Sequence, residues 1–390
     1  MKKQKHYQVR AEQILLPKKY SDHLIKLCST SRIVYNTAQY KVSNEFRATG
    51  WNAKSIGYFP MCKWIKKHSE YGLWKATIGA KTCEQILRML NEDWINYFKA
   101  LSAWREDPSK FEQRPQPPGF KSKFYSGKKL YLLPLASQTL RYDAQTNLVY
   151  TPKVFGISVV RNRSIGKKLR GARIKPVGNK QFVFELLYAV PEQKINSQPH
   201  RVASIDLGVN NLVTLVTNLA TEPFIIPGGP VKSTNQYYNK ERATLQQAYD
   251  FYPKGVITSR RKLERLMIKR NSKIDDYFHK TSSKIVDYCV GSTIDTIVIG
   301  KNNGWKQNVN LGKKNNQKFV FIPFNKLISQ IQYKAEDVGI RVVIIEEAYT
   351  SKCSFMDFEY PDKQRQYAGK RVTRGLFRSA NGTKEVIYPI

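Results

Sequence analysis

Three acidic side chains stand where apolar runs end. Asp206 closes the run 201–206 (Arg-Val-Ala-Ser-Ile-Asp) ahead of Leu207 and Gly208, and Glu346 and Glu347 close the run 340–345 (Ile-Arg-Val-Val-Ile-Ile). A carboxylate at a strand tip projects past the sheet edge, where a divalent cation or a phosphate can approach. Two adjacent glutamates repel each other unless a cation shares them. Mg²⁺ prefers oxygen ligands in octahedral array, so clustered carboxylates are the set that holds it. Two such ions roughly 4 Å apart are what metal-assisted phosphodiester cleavage uses. Taken alone, an Asp before a Gly is also an ordinary turn residue bonding its own backbone, and a glutamate pair is also a surface pair neutralised by Lys or Arg. The elements around these residues and the charge of the whole chain favour the metal reading.

The β-branched runs on both sides of Asp206-Leu-Gly208 read as a hairpin with Asp206 at the end of its first strand. Residues 222–226 read as a third strand, and 235–289 as a long basic helical stretch broken near Pro253. A strand over 293–300, a helix from Phe324 to Val338 stopped by Gly339, and a strand over 340–345 follow. Three strands and then helix–strand–helix–strand is the order of an RNase H-like sheet. The same Asp-x-Gly hairpin opens actin-like ATPases, but these need a second Gly-rich phosphate loop in strand–turn context, and Gly228-Gly229, Gly255 and Gly291 lack it. Neither a Gly-x-x-x-x-Gly-Lys-[Ser/Thr] loop nor a Ser/His/Asp grouping is present.

Upstream, 5–16 reads as a strand, and helical periodicity runs from Pro17 to about Trp104. Ile25, Leu27 and Tyr35 share one face, and Ile86, Leu87, Leu90, Trp94 and Phe98 another. The tryptophans here are mostly core, with a few exposed rings free to stack on bases. Residues 105–125 form a Pro-rich, basic break. From 128 to about 195 short strands are expected at 129–133, 154–159, 173–176 and 181–188, a small all-β unit made basic by Lys167, Lys168, Arg170, Arg173 and Lys175. Residues 190–200 read as a polar linker.

The chain has 390 residues, with 66 Lys and Arg against 30 Asp and Glu, a formal net charge of +36. So large an excess opposes a compact fold unless a polyanion is near, and nucleic acid is the expected partner because neutralising phosphates releases counterions. A membrane is not expected, since no cationic cluster flanks an apolar amphipathic helix and no run approaches about 18 apolar residues. The basic N-terminus lacks the apolar core of a signal peptide. Five scattered cysteines without a Cys-x-x-Cys pair argue against structural zinc and disulfides and fit a reducing, cytoplasmic setting.

With these residues in view, Ser204 to Leu215 and Tyr333 to Lys352 resemble the RuvC-type nuclease of the TnpB family, transposon-encoded RNA-guided DNA endonucleases related to type V CRISPR effectors. The segment Arg114 to Lys121 is similar to that family's Pro-rich turn before its β-barrel. The resemblance implies an α/β RuvC (RNase H-like) domain over 196–390, a wedge-like all-β barrel from 1–16 and 105–195, and an all-α recognition domain over 17–104. It further implies Mg²⁺ or Mn²⁺ as cofactor, a guide RNA from the transposon end and double-stranded target DNA as partners, and nucleic-acid contacts at Lys121 and the barrel cations named above. Asp206 corresponds to the first catalytic acid. Most members end the next strand in a Glu where this chain has Gly300, so Glu346 or Glu347, one strand later, stands as its relocated equivalent.

Two departures accompany the resemblance. Of the family's two Cys-x-x-Cys pairs only Cys353 remains, so no zinc is expected. No Asp follows Asp362, and Glu385 is poorly placed as a third acid. A truncated or frameshifted gene would account for this. The expected activity is therefore RNA-guided DNA cleavage, with a nuclease-dead RNA-guided DNA binder or repressor as the alternative. A guide-independent transposase would need a Tyr nucleophile with a His pair, which is not seen, and a generic RNA-binding protein would ignore guide–target complementarity.

Overall fold

The computed structural model describes residues 7–50, 56–121, 124–125, 128–143, 145–160, 169–178, 180–191, 193, 199–219, 221–250, 257–301, 320–347, 349–350, 352–373, 376–382 and 384–386. The chain divides into two compact units, Met1–Pro191 and Glu192–Ile390.

In the first unit, β1 (Tyr7–Leu15) is followed by α1 (Ser21–Thr49), α2 (Tyr58–Lys66), α3 (Tyr71–Ile78) and α4 (Ala80–Glu106). Then come β2 (Phe124–Tyr125), β3 (Lys128–Lys129), β4 (Leu133–Ala136), β5 (Arg141–Asp143), β6 (Leu148–Tyr150), β7 (Ser158–Val160), β8 (Leu169–Gly178) and β9 (Gln181–Pro191). β1 pairs antiparallel with β9 along its whole length, from Tyr7 opposite Pro191 to Leu15 opposite Val183, in a sheet ordered β1-β9-β8-β4. Phe182, Phe184, Leu186, Tyr188 and Val190 are buried at every second position of β9, the period that places alternate side chains on one face. Phe182, Phe184 and Leu186 share a core with Leu24, Leu27, Val34 and Tyr35 of α1 and Ile86, Leu87, Leu90 and Trp94 of α4. The two predicted helix faces are thus both buried, Phe98 only partly.

The expected strand at 129–133 is displaced: Leu133 begins the strand instead of ending it. Residues 154 and 155 of the expected strand 154–159 belong to a turn that reaches Gly156 at φ +60°, and β7 starts at Ser158. Glycine punctuation there outweighs the β-branched run.

In the second unit, β10 (Val202–Asp206), β11 (Asn211–Thr217) and β12 (Phe224–Pro227) form a meander. α5 (Gly229–Asp250), α6 (Ile257–Gly291), β13 (Thr296–Gly300), α7 (Phe324–Asp337) and β14 (Arg341–Ile345) complete a sheet ordered β12-β11-β10-β13-β14. β10 is antiparallel to β11 and parallel to β13, which is parallel to β14. Ile297 and Ile299 of β13 and Ala203 and Ile205 of β10 are fully buried against Ile274, Phe278, Ile285 and Cys289 of α6 and Phe324, Leu327 and Ile331 of α7. Against the sequence reading, β13 begins three residues late, because Thr293 takes φ +52° at the end of α6. A small sheet of β15 (Lys370–Thr373), β16 (Leu376–Arg378) and β17 (Lys384–Val386), not anticipated from sequence, follows. No helix among the described residues is long and apolar enough to cross a membrane.

Candidate functional site: a carboxylate pair at parallel strand tips

Parallel pairing brings the three central strands to an end together. Ile205 lies opposite Ile299, Gly300 lies opposite Ile345, and Lys301 N–H donates to the Ile345 carbonyl at 2.8 Å. Asp206, the last residue of β10, therefore sits beside the tip of β13, with the end of β14 next in line. The chain turns sharply after Asp206, where a Cβ on Gly208 would collide with the Asn211 carbonyl.

Glu347 comes from the turn just past β14, where Thr350 Oγ1 donates to the Glu347 carbonyl at 3.1 Å. Its side chain lies across the end of β13. A Cβ built on Gly300 would overlap Oε1, Cδ and Cγ of Glu347, so the carboxylate passes through space that any other residue at 300 would fill. Gly300 is the position where the family resemblance places a Glu. Glu346, its neighbour, is exposed. The structure thus separates the two glutamates left open by the sequence: Glu347 joins Asp206 and Glu346 points to solvent.

Electrostatics tie the pair together. Burial pushes the Asp206 carboxyl up to about 6, although the Leu207 N–H hydrogen-bonds to it and works the other way. Glu347 is pushed up to about 7, first by burial and then by the negative charge of Asp206. Asp206 ionises first, so its charge opposes ionisation of Glu347. In both carboxyls the cost of burial outweighs the interactions that favour the charged form.

One further polar group faces the same place. Thr214 lies directly across the β10–β11 ladder from Asp206, is 2% exposed, and its Oγ1 has no hydrogen-bond partner. Directly paired residues of antiparallel strands put their side chains on one face. A buried hydroxyl without a partner costs about 1–3 kcal/mol and calls for an explanation such as an ion or ordered water. The sequence did not single out Thr214; only the ladder register reveals it. Two carboxylates and a hydroxyl oxygen are hard donors that fit a hydrated divalent cation. Among the described residues, no group of three or more His, Cys, Asp or Glu is placed to hold a metal.

The predicted nucleic-acid residues sit elsewhere. Lys121 reaches Asp93 at 3.0 Å and lies over the rings of Tyr35 and Tyr131. Arg173 and Lys175 converge on Glu185, with Lys175 Nζ at 2.7 Å. Arg170 is half-buried early in β8. Lys167 and Lys168 lie outside the described residues. In the C-terminal segment the Cys353 thiol donates to the Tyr360 carbonyl at 3.4 Å, while Glu359 accepts from the Ser354 and Ala368 N–H groups and Asp357 from Ala380 N–H. Asp362 hydrogen-bonds the Lys363 N–H at 2.6 Å.

A five-stranded mixed sheet with acidic strand tips, fused to a sheet-and-helix unit, is an architecture with solved counterparts. The Cas12f1 chain of a Cas12f1–sgRNA–target DNA complex superposes with a TM-score of 0.53 at 13% identity, over 88% of this chain and 76% of that one. The fold is therefore of the TnpB/Cas12 type. The probable-transposase family model OrfB_IS605 matches residues 185–306, and the Cas12f1-like TNB domain model matches residues 324–379. A TnpB-like protein, ORF457 of Acidianus two-tailed virus, is 23% identical over 95% of this chain and 82% of its own length. The CRISPR-associated endodeoxyribonuclease Cas12f2 of a Micrarchaeota archaeon is 28% identical over 54% of this chain and 38% of its own. Along nearly its whole length, then, the chain is similar to a TnpB-like protein, and most of its second unit matches the OrfB_IS605 and Cas12f1-like TNB models.

Proposed function

We propose that the protein is an RNA-guided DNA endonuclease whose second unit is an RNase H-like, RuvC-type nuclease domain and whose first unit supplies the helical recognition part and the wedge-like barrel. The observation that carries this reading is the Asp206–Glu347 pair. It is half-buried, protonated to unusually high pH and set beside an unsatisfied hydroxyl, in a chain of net charge +36. Such a pair is stabilised by a divalent cation, and the surrounding charge draws a polyanion to it.

Asp206 and Glu347 would hold Mg²⁺ or Mn²⁺, which when bound polarises a phosphodiester and acidifies a water. The Thr214 hydroxyl orients a water beside Asp206. Glu346, facing solvent, takes no part in ligation. In this reading sequence recognition belongs to base pairing between guide and target, while the protein reads duplex shape and a short flanking motif. The relatives support it by name: one is an endodeoxyribonuclease and one structure holds guide RNA with target DNA.

A second reading, an RNA-guided DNA binder that does not cut, is favoured by the donor set, since two carboxylates rather than three converge among the described residues. Incubating the protein with a guide RNA, matched DNA and Mg²⁺ separates the two. Cleavage that needs complementarity and disappears in Asp206→Ala supports the nuclease. Guide-dependent retention without cleavage supports the binder. Binding indifferent to complementarity defeats both.

A further inference from the structure

A cleft opens between α5 and α6, and neither Asp206 nor Glu347 lines it. Ser233, Thr234 and Tyr237 of α5 line one wall, and Leu266, Lys269, Arg270 and Lys273 of α6 the other. Its polar lining is three cations, two hydroxyls and a phenol, without a carboxylate. That is the donor set of an anion site.

Arg270 makes the cleft more than a patch of surface lysines. Its guanidinium is half-buried and held on neutral acceptors: Nε donates to Asn235 Oδ1 at 2.8 Å, Nη1 to Asn271 Oδ1 at 2.9 Å, and Nη2 to the Phe321 carbonyl. Asn235 is itself 4% exposed, so the arginine is anchored to the protein interior. Burial disfavours its charged form, the direction that an added anion would reverse. Asp275, whose charge acts on Arg270, is paired with Lys326.

The cleft also ends a cationic track. Arg261, Arg265, Lys269 and Lys273 are all exposed and recur every four residues along α6. Such residues follow one another by about 6 Å along the axis with a drift of roughly 40°, so they form one slowly winding stripe. Between 261 and 273 there are six cations and a single acid, Glu264. Like charges four apart on a helix each cost about 0.2–0.5 kcal/mol. A regular row of them at the rim of an anion cleft is explained by a partner with regularly spaced phosphates.

We propose that the α5–α6 cleft seats a backbone phosphate of a nucleic-acid strand that runs along the α6 stripe, with Lys269 and Lys273 closing on the phosphate, Arg270 fixed behind it, and the exposed Tyr237 ring stacking on the adjoining base. The proposal rests on the nucleic-acid reading above but not on cleavage.

The test measures binding of full-length protein to a guide RNA, to duplex DNA, and to RNA with matched DNA, across a salt series. Lys269→Ala/Lys273→Ala is compared with Lys63→Ala/Lys67→Ala, an equal charge change on the first unit. All four lysines are exposed, and an unchanged thermal midpoint confirms folding. The cleft pair should bind about ten-fold more weakly, with the slope of log K against log salt shallower by about 1.4–1.8, which is two phosphate contacts. Tyr237→Ala should lose about 5- to 150-fold and Tyr237→Phe almost nothing. Loss on RNA alone assigns the seat to the guide strand, and loss only with DNA present assigns it to the target. An unchanged slope in every arm, or an equal change in the control pair, overturns the proposal. Because cleavage is scored separately, a protein that never cuts but loses binding in the cleft variants keeps the seat and forfeits the nuclease.

Discussion

Two buried carboxylate sites in this molecule are treated in opposite ways. Glu185, in the sheet of the first unit, has a side chain 4% exposed. Burial would raise its pKa, yet Lys175, Arg173 and Gln13 all donate to it and bring it below the usual range. Asp206 and Glu347, on the second unit, are less buried, yet burial prevails there and both are raised. Where a carboxylate serves structure, the fold brings lysine and arginine to it. At the strand tips burial prevails instead, and a cation arriving from solution would offset its cost. Carboxylates perturbed in this direction and gathered at strand tips mark a candidate functional site.

The largest effect that would break this contrast is on cleavage. Asp206→Ala should lower guide-dependent cleavage on the order of 10³-fold or more, measured in single turnover, because a ligand of the reacting centre acts as part of a unit. Its affinity for guide and target should stay within about two-fold. Next in size, Glu185→Ala should destabilise the first unit by about 2–4 kcal/mol in denaturant unfolding. Removing one partner of a buried pair strands the others, but Arg173 and Lys175 are 38% and 32% exposed and recover part of their hydration. If Glu185→Ala were neutral, its cations would be ornamental and the contrast would fail.

A smaller effect sharpens the assignment of the second acid. Glu347→Gln should cost about 100-fold in cleavage, whereas Glu346→Gln should stay within about three-fold. Gly300→Ala should resemble Glu347→Gln, since the added methyl displaces the same carboxylate. The swap Gly300→Glu with Glu347→Gly returns a carboxylate to nearly the same space and should recover activity over Gly300→Ala. Equal sensitivity of Glu346 and Glu347 would refute the role given to the Gly300 gap.

Much of this was legible in the residues. The hairpin around Asp206 and the strand ending at Ile345 announce themselves by β-branched runs, and the order of elements sets which strands can be neighbours. The +36 charge points to a polyanion without any coordinates. What the sequence withheld depends on register. Whether Glu346 or Glu347 turns inward is a matter of one residue at a strand end, and a one-residue step reverses the face. The gap at Gly300 and the orphaned Thr214 hydroxyl are contacts across strands, invisible to periodicity. The cations Arg173 and Lys175 looked like phosphate ligands because Glu185, ten or more residues away, becomes their partner only when β8 and β9 pair. The missed three-stranded sheet after Lys370 has strands of three or four residues, too short for alternation to register.

The smallest effect reads the contrast as a function of pH, without any cleavage. Asp206 and Glu347 hold their protons more tightly folded than unfolded, so their contribution to stability is fully present below about pH 4. It is lost as pH rises through about 6 and about 7, the values at which the pair ionises in the fold. Glu185 runs the other way, contributing above the ordinary glutamate range and losing that contribution in acid. Metal-free protein should therefore show a thermal midpoint that falls between pH 5 and 8, by roughly 2–6 °C if the pair is worth about 1–2 kcal/mol after partial solvent access is allowed for. Glu347→Gln should remove about half of that slope, since burial still raises Asp206, and raise the midpoint at pH 8, while leaving pH 4 unchanged. Adding Mg²⁺ at pH 8 should restore the midpoint of the original protein and do little for the variant. A midpoint of the original protein that rises from pH 5 to 8 along with that of Glu347→Gln, and responds to Mg²⁺ no more than it does, would mean that the strand-tip carboxylates are ordinary surface acids.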